Sequence, residues 1–263
     1  MDDCPIVETA ALSPAALDFS MREVARRQEF SAIWNERLNA VFSDVAPYYG
    51  IASNVASLGL CNVWRWQFVS FIDARPGDRV LDVCAGTNWV GIGLLQRQPD
   101  LRLTALDRSE AMQAVGCANA RSLGFHIESV INDAHALPFP DNSFDVVSLQ
   151  WASRHLQVVQ VFSEIRRVLK PGGRFFHSDM LRPESRVVEA LYSAFLRASV
   201  PLTALLFRSG ADARSCCDYF VRAIQLFYTA SELTALLRAL GFSDVSVRRA
   251  PGGVLACHRA VKR

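Results

Sequence analysis

The sequence predicts a doubly wound α/β domain: a mostly parallel seven-stranded sheet flanked by helices, with a helical cap before it and an antiparallel hairpin at its end. Three observations predict it. From Val80 onward short apolar runs alternate with amphipathic ones, as strands and helices do around a parallel sheet. The first run leads into a glycine turn, "CAGTNWVG", of the kind that opens a helix at a ligand site. The composition, 51% hydrophobic and 21% charged over 263 residues, is that of a chain able to bury a full core as one globular domain.

Taken in order, residues of about 13 to 40 show helical spacing, with Arg22, Glu23, Arg26, Arg27 and Glu29 expected on one charged face. The uncharged run Val45–Trp64 has the length of a membrane span. It also contains Pro47, Gly50, Gly59, two asparagines and two serines, so it reads as a buried loop-and-helix segment. The spacing then predicts strand Val80–Cys84, a helix from about Trp89 to Gln96, strand Leu101–Leu106 and helix Ser109–Ser122. A strand near Phe125–Ile131, strand Phe144–Leu149, a helix near Gln157–Leu169 and strand Arg174–Ser178 follow. Lys170-Pro171-Gly172-Gly173 is expected to stop the last of these helices and turn the chain. Pro183 to Tyr228 reads as apolar helical segments broken at Pro201 and Ser209-Gly210. The end of the chain opens on Ser231 as a helix cap, runs helically to Gly241, and gives two strands joined near Pro251-Gly252-Gly253. The whole, 1–263, is expected to be a single domain with a helical cap over 1–70 and a helical insert, or lid, over 180–230.

The charge balance is only +2, with both signs interspersed, so no footprint for a nucleic-acid duplex is present and nucleic acid is not an expected partner. Seven cysteines without a CxxC pair fit free thiols in a reducing compartment. The start, "MDDCP", has no basic flank before an apolar core. A cytoplasmic protein is expected. No metal is expected either, because no i, i+4 histidine pair or histidine-carboxylate cluster occurs. His126, His135, His177 and His258 read as structural or solvent-facing.

In an open parallel sheet the ligand sits beyond the carboxyl ends of the strands, where the first strand hands over to its helix. Here Gly86 lets backbone approach a ligand and Gly91 lets the helix pack closely. Asn88, which completes a G-x-N-x-x-G pattern, is the non-glycine type that best tolerates positive φ. Asp107, about 20 residues on, is placed to accept hydrogen bonds from ribose hydroxyls. A nicotinamide-dependent oxidoreductase and a methyltransferase both fit this much.

The stretches "INDAHALPFPDNSFDVVSLQWASRHL" and "EIRRVLKPGGRFFHSDM" are more specific. With "VFSDVAPYYGIASNVASLGLCNVWRW" and "GFSDVSVRRAPGGVLACHRAVKR", the chain resembles class I S-adenosylmethionine-dependent methyltransferases, with their Rossmann-like methyltransferase fold. More narrowly it resembles the ubiquinone/menaquinone biosynthesis C-methyltransferases, over all but the first forty or so residues. The resemblance implies S-adenosyl-L-methionine as cofactor, with Asp82 and Gly86 at its methionine end and Asp107 on its ribose. Asp133 and the backbone of Ala134 would read adenine, and Tyr49 would close over the cofactor. It implies carbon methylation of a quinol-like or other apolar aromatic acceptor, with an apolar aromatic or prenylated small molecule as the substrate. Peripheral contact with the inner membrane face and a homodimer stay open. Arg154 is expected to hold oxyanion charge or orient a water, and His155 to accept a proton, since an imidazole titrates near neutral pH.

The chain also departs from the family pattern. It reads Gly86-Thr87-Asn88-Trp89 where the family reads "GTGD", Trp151-Ala152-Ser153-Arg154-His155 where it reads phenylalanine-glycine ending in arginine-asparagine, and Gly50 where an aspartate follows the tyrosine. These departures keep a repurposed or non-catalytic descendant, or another lipid or aromatic acceptor, as alternatives. The basic residues Arg182, Arg186, Arg197, Arg208 and Arg214 read as a solvated helix face, or as a lid that touches anionic lipid.

Overall fold

The computed structural model describes residues 14–211 and 216–263. The acidic N-terminus with Cys4, and Arg214, lie outside the described residues. Helix α1 (Pro14–Ala32) runs through a wide turn at Ile33–Arg37 into α2 (Leu38–Val45), followed by α3 (Tyr49–Ala56) and α4 (Leu60–Phe71). The alternating part is β1 (Arg79–Val83), α5 (Trp89–Arg97), β2 (Arg102–Asp107), α6 (Glu110–Ser122), β3 (Glu128–Ile131), β4 (Phe144–Gln150), α7 (Val158–Val168) and β5 (Leu169–Met180). Then come α8 (Arg186–Leu206), α9 (Cys217–Gln225), α10 (Ala230–Ala239), β6 (Phe242–Arg249) and β7 (Leu255–Lys262).

The seven strands form one sheet in the order β3-β2-β1-β4-β5-β7-β6. It is parallel except for β7, which runs antiparallel to both β5 and β6. The predicted doubly wound sheet with a terminal hairpin is therefore the observed one. Its central strands are apolar on both faces because helices cover both. Val80, Leu103 and Val146 pack toward α4 and α5, whereas Leu81, Leu106 and Val147 pack toward α7 and α10. Gly91 permits this closeness: a Cβ there would stand 2.8 Å from a Leu103 methyl. A third apolar cluster, with Phe30, Trp34, Leu38 and Val41, joins the N-terminal helices to Tyr219 and Ala223 of α9.

Five local expectations are corrected. Glu23 and Arg26 are buried, not part of a charged outer face. They pair at 2.6 Å while Arg26 donates to the carbonyls of Leu156 and Arg154, and the Val158 N–H donates to Glu23. The run Val45–Trp64 is not a buried segment: α3 has no fully buried residue, and Ile51, Val55, Leu58, Leu60 and Val63 are exposed. Lys170–Gly173 lies within β5 as a bulge, since the β4 register slips between Phe144 and Val146 and the Lys170 ammonium holds Asp145. Pro201 does not break α8. Both Pro201 and Arg197, whose carbonyl loses its donor, are exposed, so water can satisfy the freed group. Thr229, not Ser231, caps α10, because Thr229 and Glu232 complete a reciprocal capping box.

Candidate active site

Beyond the carboxyl ends of β1, β2 and β4 a cavity is lined by Tyr49, Arg65, Asp82, Gly86, Trp89, Asp107, Asp133, Ala134, Trp151 and His155, among others. It gathers Tyr49, Asp82, Gly86, Asp107, Asp133, Ala134 and His155 of the residues expected from sequence. Asp82 accepts from Ser148 Oγ at 2.7 Å through Oδ1, and its buried Oδ2 has no partner. Burial pushes its carboxyl up to about 7, with the Asp107 charge adding to the effect of burial. Asp107 is held by the Gly86 N–H on Oδ2 and the Ser109 N–H on Oδ1, both at 2.8 Å. Burial raises it too, against those two donors. Asp133 is drawn down to about 2, chiefly by the His135 ring, which shares Oδ1 with the His135 N–H. His135 therefore has a definite partner at the cavity's edge.

Asn88 is the exception among the expected cofactor residues. Its φ of +59° does carry the turn, but its side chain points away from the cavity. It is fully buried, accepts from Gln113 Nε2 at 2.9 Å and contacts Cys117. Gln113 also donates to the Gly86 carbonyl and accepts from Ser129, so it knits the turn to α6 and β3. Asn88 thus shapes the turn and offers no group to a ligand.

Arg154 and His155 follow β4 but face different spaces. Arg154 lines a second, mostly apolar cavity of about 360 Å³, together with Tyr48, Met180, Tyr192, Phe195 and Val200. Its guanidinium pairs with the fully buried Asp179, which also accepts from Ser153. His155 lines the first cavity. Burial, with the charges of Arg154, Arg26 and Arg108 adding, pushes it well below the usual histidine range. Its expected titration near neutral pH is thereby corrected, and the ring is neutral. Trp34 Nε1–H donates to Tyr219 Oη, and His155 Nδ1 shares a hydrogen bond with the same oxygen. When the phenol donates to Nδ1, the buried and unpartnered Nε2 carries the ring proton. In that tautomer the ring presents an N–H, not a basic lone pair, at Nε2.

Three features escape the sequence reading. Phe42, Tyr49 and Trp151 border both cavities. Trp151 holds a φ of +59°, a strained conformation for a bulky side chain, fixed by its N–H to the Ser178 carbonyl at 2.8 Å. Arg65 is buried in the first cavity's wall. Its signal lay in the sequence: it is the only charged residue between Asp44 and Asp73. Among the described residues no cluster of histidine, cysteine and carboxylate side chains suited to a metal is present. No helix among them is long and apolar enough to cross a membrane.

Comparison with known proteins supplies the family. A "Demethylmenaquinone methyltransferase" of Renibacterium salmoninarum is 34% identical over 86% of this chain and 92% of its own length. The "Ubiquinone/menaquinone biosynthesis C-methyltransferase UbiE" of Acidiphilium cryptum is 32% identical over 95% of this chain and 98% of its own. The fold matches a structure of Haemonchus contortus phosphoethanolamine N-methyltransferase 2 in complex with S-adenosyl-L-methionine, with a TM-score of 0.58. That match is 15% identical over 76% of this chain and 52% of that one. The sequence model described as the ubiE/COQ5 methyltransferase family matches residues 31–262, and the chain belongs to that family.

Proposed function

We propose that the chain is an S-adenosylmethionine-dependent methyltransferase that methylates a ring carbon of a quinol-like or other apolar aromatic acceptor. The observation that carries this reading is the pair of adjoining cavities. One, at the carboxyl end of the sheet, carries the charged side chains of Asp82, Asp107, Asp133 and Arg65 and is the more polar of the two, and the other is mostly apolar, with Phe42, Tyr49 and Trp151 between them. The polar cavity suits the cofactor. Asp82 Oδ2 is an orphaned acceptor for an ammonium, Asp107 is a carboxylate fixed for ribose, and Asp133 with the Ala134 backbone is set for adenine. Bound there, S-adenosylmethionine supplies an electrophilic methyl group. The acceptor and its apolar tail belong in the second cavity, whose size is that of a small-molecule site.

Attack by a ring carbon needs electron density, which an adjacent deprotonated hydroxyl provides. Arg154, in the apolar wall with its Nε unpartnered, is the group proposed to hold that oxygen's charge, while His155 faces the donor's cavity. The helices of 1–70 and 180–230 act as cap and lid, since α2, α3, α4, α8 and α9 all furnish the apolar cavity's lining. Its mouth is proposed to meet the cytoplasmic face of a bilayer. Leu58 and Leu60 line the cavity and are also exposed, beside Ile51, Val55 and Val63. On α8 the exposed residues Val187, Leu191, Leu202 and Leu205 form a stripe at helical spacing.

The test is incubation of the purified chain with isotopically methyl-labelled S-adenosylmethionine and short-chain prenylated quinols, followed by mass spectrometry. One labelled methyl on a ring carbon is expected with the reduced acceptor and not with the oxidised quinone. Methyl found on oxygen, or no transfer to any reduced acceptor, rejects the reading.

A further inference from the structure

The polar cavity contains a second orphaned group, of sign opposite to Asp82. Arg65 is only 3% exposed, yet its Nη1 has no hydrogen-bond partner and it forms no ion pair among the described residues. Ring faces surround it instead: its guanidinium carbon lies 5.1 Å from the Trp89 ring centroid, 5.1 Å from Trp151 and 5.9 Å from Tyr49. Such faces offset only part of the cost of burying a cation, and an unpaired buried charge calls for an anion. Two of this chain's departures from the family pattern meet at this place. Gly50 and Trp89 stand where that pattern carries aspartates, and a Cβ on Gly50 would lie 3.6 Å from Trp89 Nε1. The two positions that could have supplied Arg65 with an internal carboxylate are thus a glycine and an indole.

Arg65 borders the polar cavity with Asp82 and does not border the apolar one. Its anion therefore belongs to the molecule in the polar cavity. Opposite orphaned charges on one cavity wall match a zwitterion: an ammonium for Asp82 and a carboxylate for Arg65. We propose that Arg65, held by the faces of Trp89, Trp151 and Tyr49, is the binding residue for the α-carboxylate of the methyl donor, so that the Gly50–Trp89 departure sets how the donor is recognised. This rests on the donor reading given above.

Calorimetric titration tests it without turnover, using S-adenosylhomocysteine, its decarboxylated analogue and 5′-methylthioadenosine as probes. The native chain should prefer the carboxylated ligand by roughly tenfold or more over its decarboxylated analogue, the scale of a hydrogen bond to a charged group. Arg65→Met should bind those two alike while keeping 5′-methylthioadenosine within about twofold, and Arg65→Lys should recover part of the preference. An Arg65→Met chain that keeps the native preference, or that loses all three ligands together, overturns the proposal. A native chain that binds none of the three rejects the donor reading itself, and is told apart from the other outcomes by the native titration alone.

Discussion

Asp82 shows how one residue's surroundings make a testable rule. Its carboxyl stands at about 7 because it is buried, and a donor's ammonium needs the ionised form. Protons therefore compete with the ligand: affinity for S-adenosylhomocysteine should be full above about pH 8 and fall by about tenfold per unit below 7. Asp82→Asn should bind weakly at every pH and show no such slope, as titration calorimetry between pH 6 and 8 would reveal. An unchanged slope in that variant would place the ammonium elsewhere. Asn88 gives a second rule at this scale. Asn88→Gly keeps the positive φ but removes the acceptor for Gln113, so it should cost about 1–2 kcal/mol in denaturant unfolding while ligand binding persists. Asn88→Val forces a β-branched side chain to positive φ and should lose binding as well. Equal losses in the two variants would deny that the backbone conformation matters.

At the scale of elements, α1 does more than cap the sheet. Arg26 ties α1 to the loop carrying Arg154 and His155 through two carbonyls, and Glu23 receives both the Tyr228 hydroxyl and the first N–H of α7. Removing one member of a buried pair leaves the other charged and unpaired, a loss of about 3–5 kcal/mol. Arg26→Met should therefore destabilise the fold by that amount in urea unfolding. Glu23→Gln/Arg26→Met together should recover some of it, because no bare charge is left. Simple additivity of the two single variants would show that the pair is not coupled. This element also marks where the sequence stops being legible. The strands, the helices around them and the turn at Gly86 follow from period and glycine chemistry, which are local. That Glu23 and Arg26 are buried depends on α7, α10 and the β4 loop folding over them, and no spacing within α1 records those partners. Likewise Asp82, Asp107 and Asp133 were legible because each ends or follows a strand. The surroundings of His155 were not, since they are set by Tyr219 and Trp34, which are distant in sequence.

At the scale of the whole molecule, the uneven placement of charge gives the apolar cavity's side a direction. Between Asp44 and Asp73 the one charged residue, Arg65, is buried, and between Glu189 and Gly210 the charged residues are Arg197 and Arg208, both exposed. Over these two segments the exposed charges are therefore the two arginines, with no carboxylate between the bounds. A second copy would set those arginines against their like, whereas an anionic bilayer would attract each by about 1 kcal/mol. The exposed leucines would enter the headgroup boundary as those of interfacial helices do. The chain should therefore co-sediment with phosphatidylglycerol-rich vesicles more than with phosphatidylcholine ones. About 1 M salt, where the Debye length is about 3 Å, should remove the charge-dependent part. Leu202→Glu/Leu205→Glu should abolish co-sedimentation yet leave methylation of a water-soluble short-tailed quinol unchanged, because neither side chain lines the apolar cavity. Methylation of a long-tailed quinol held in vesicles should fall with the loss of binding. If the double variant sedimented with the vesicles as the native chain does, α8 would not be the docking helix and the cavity would open to solvent.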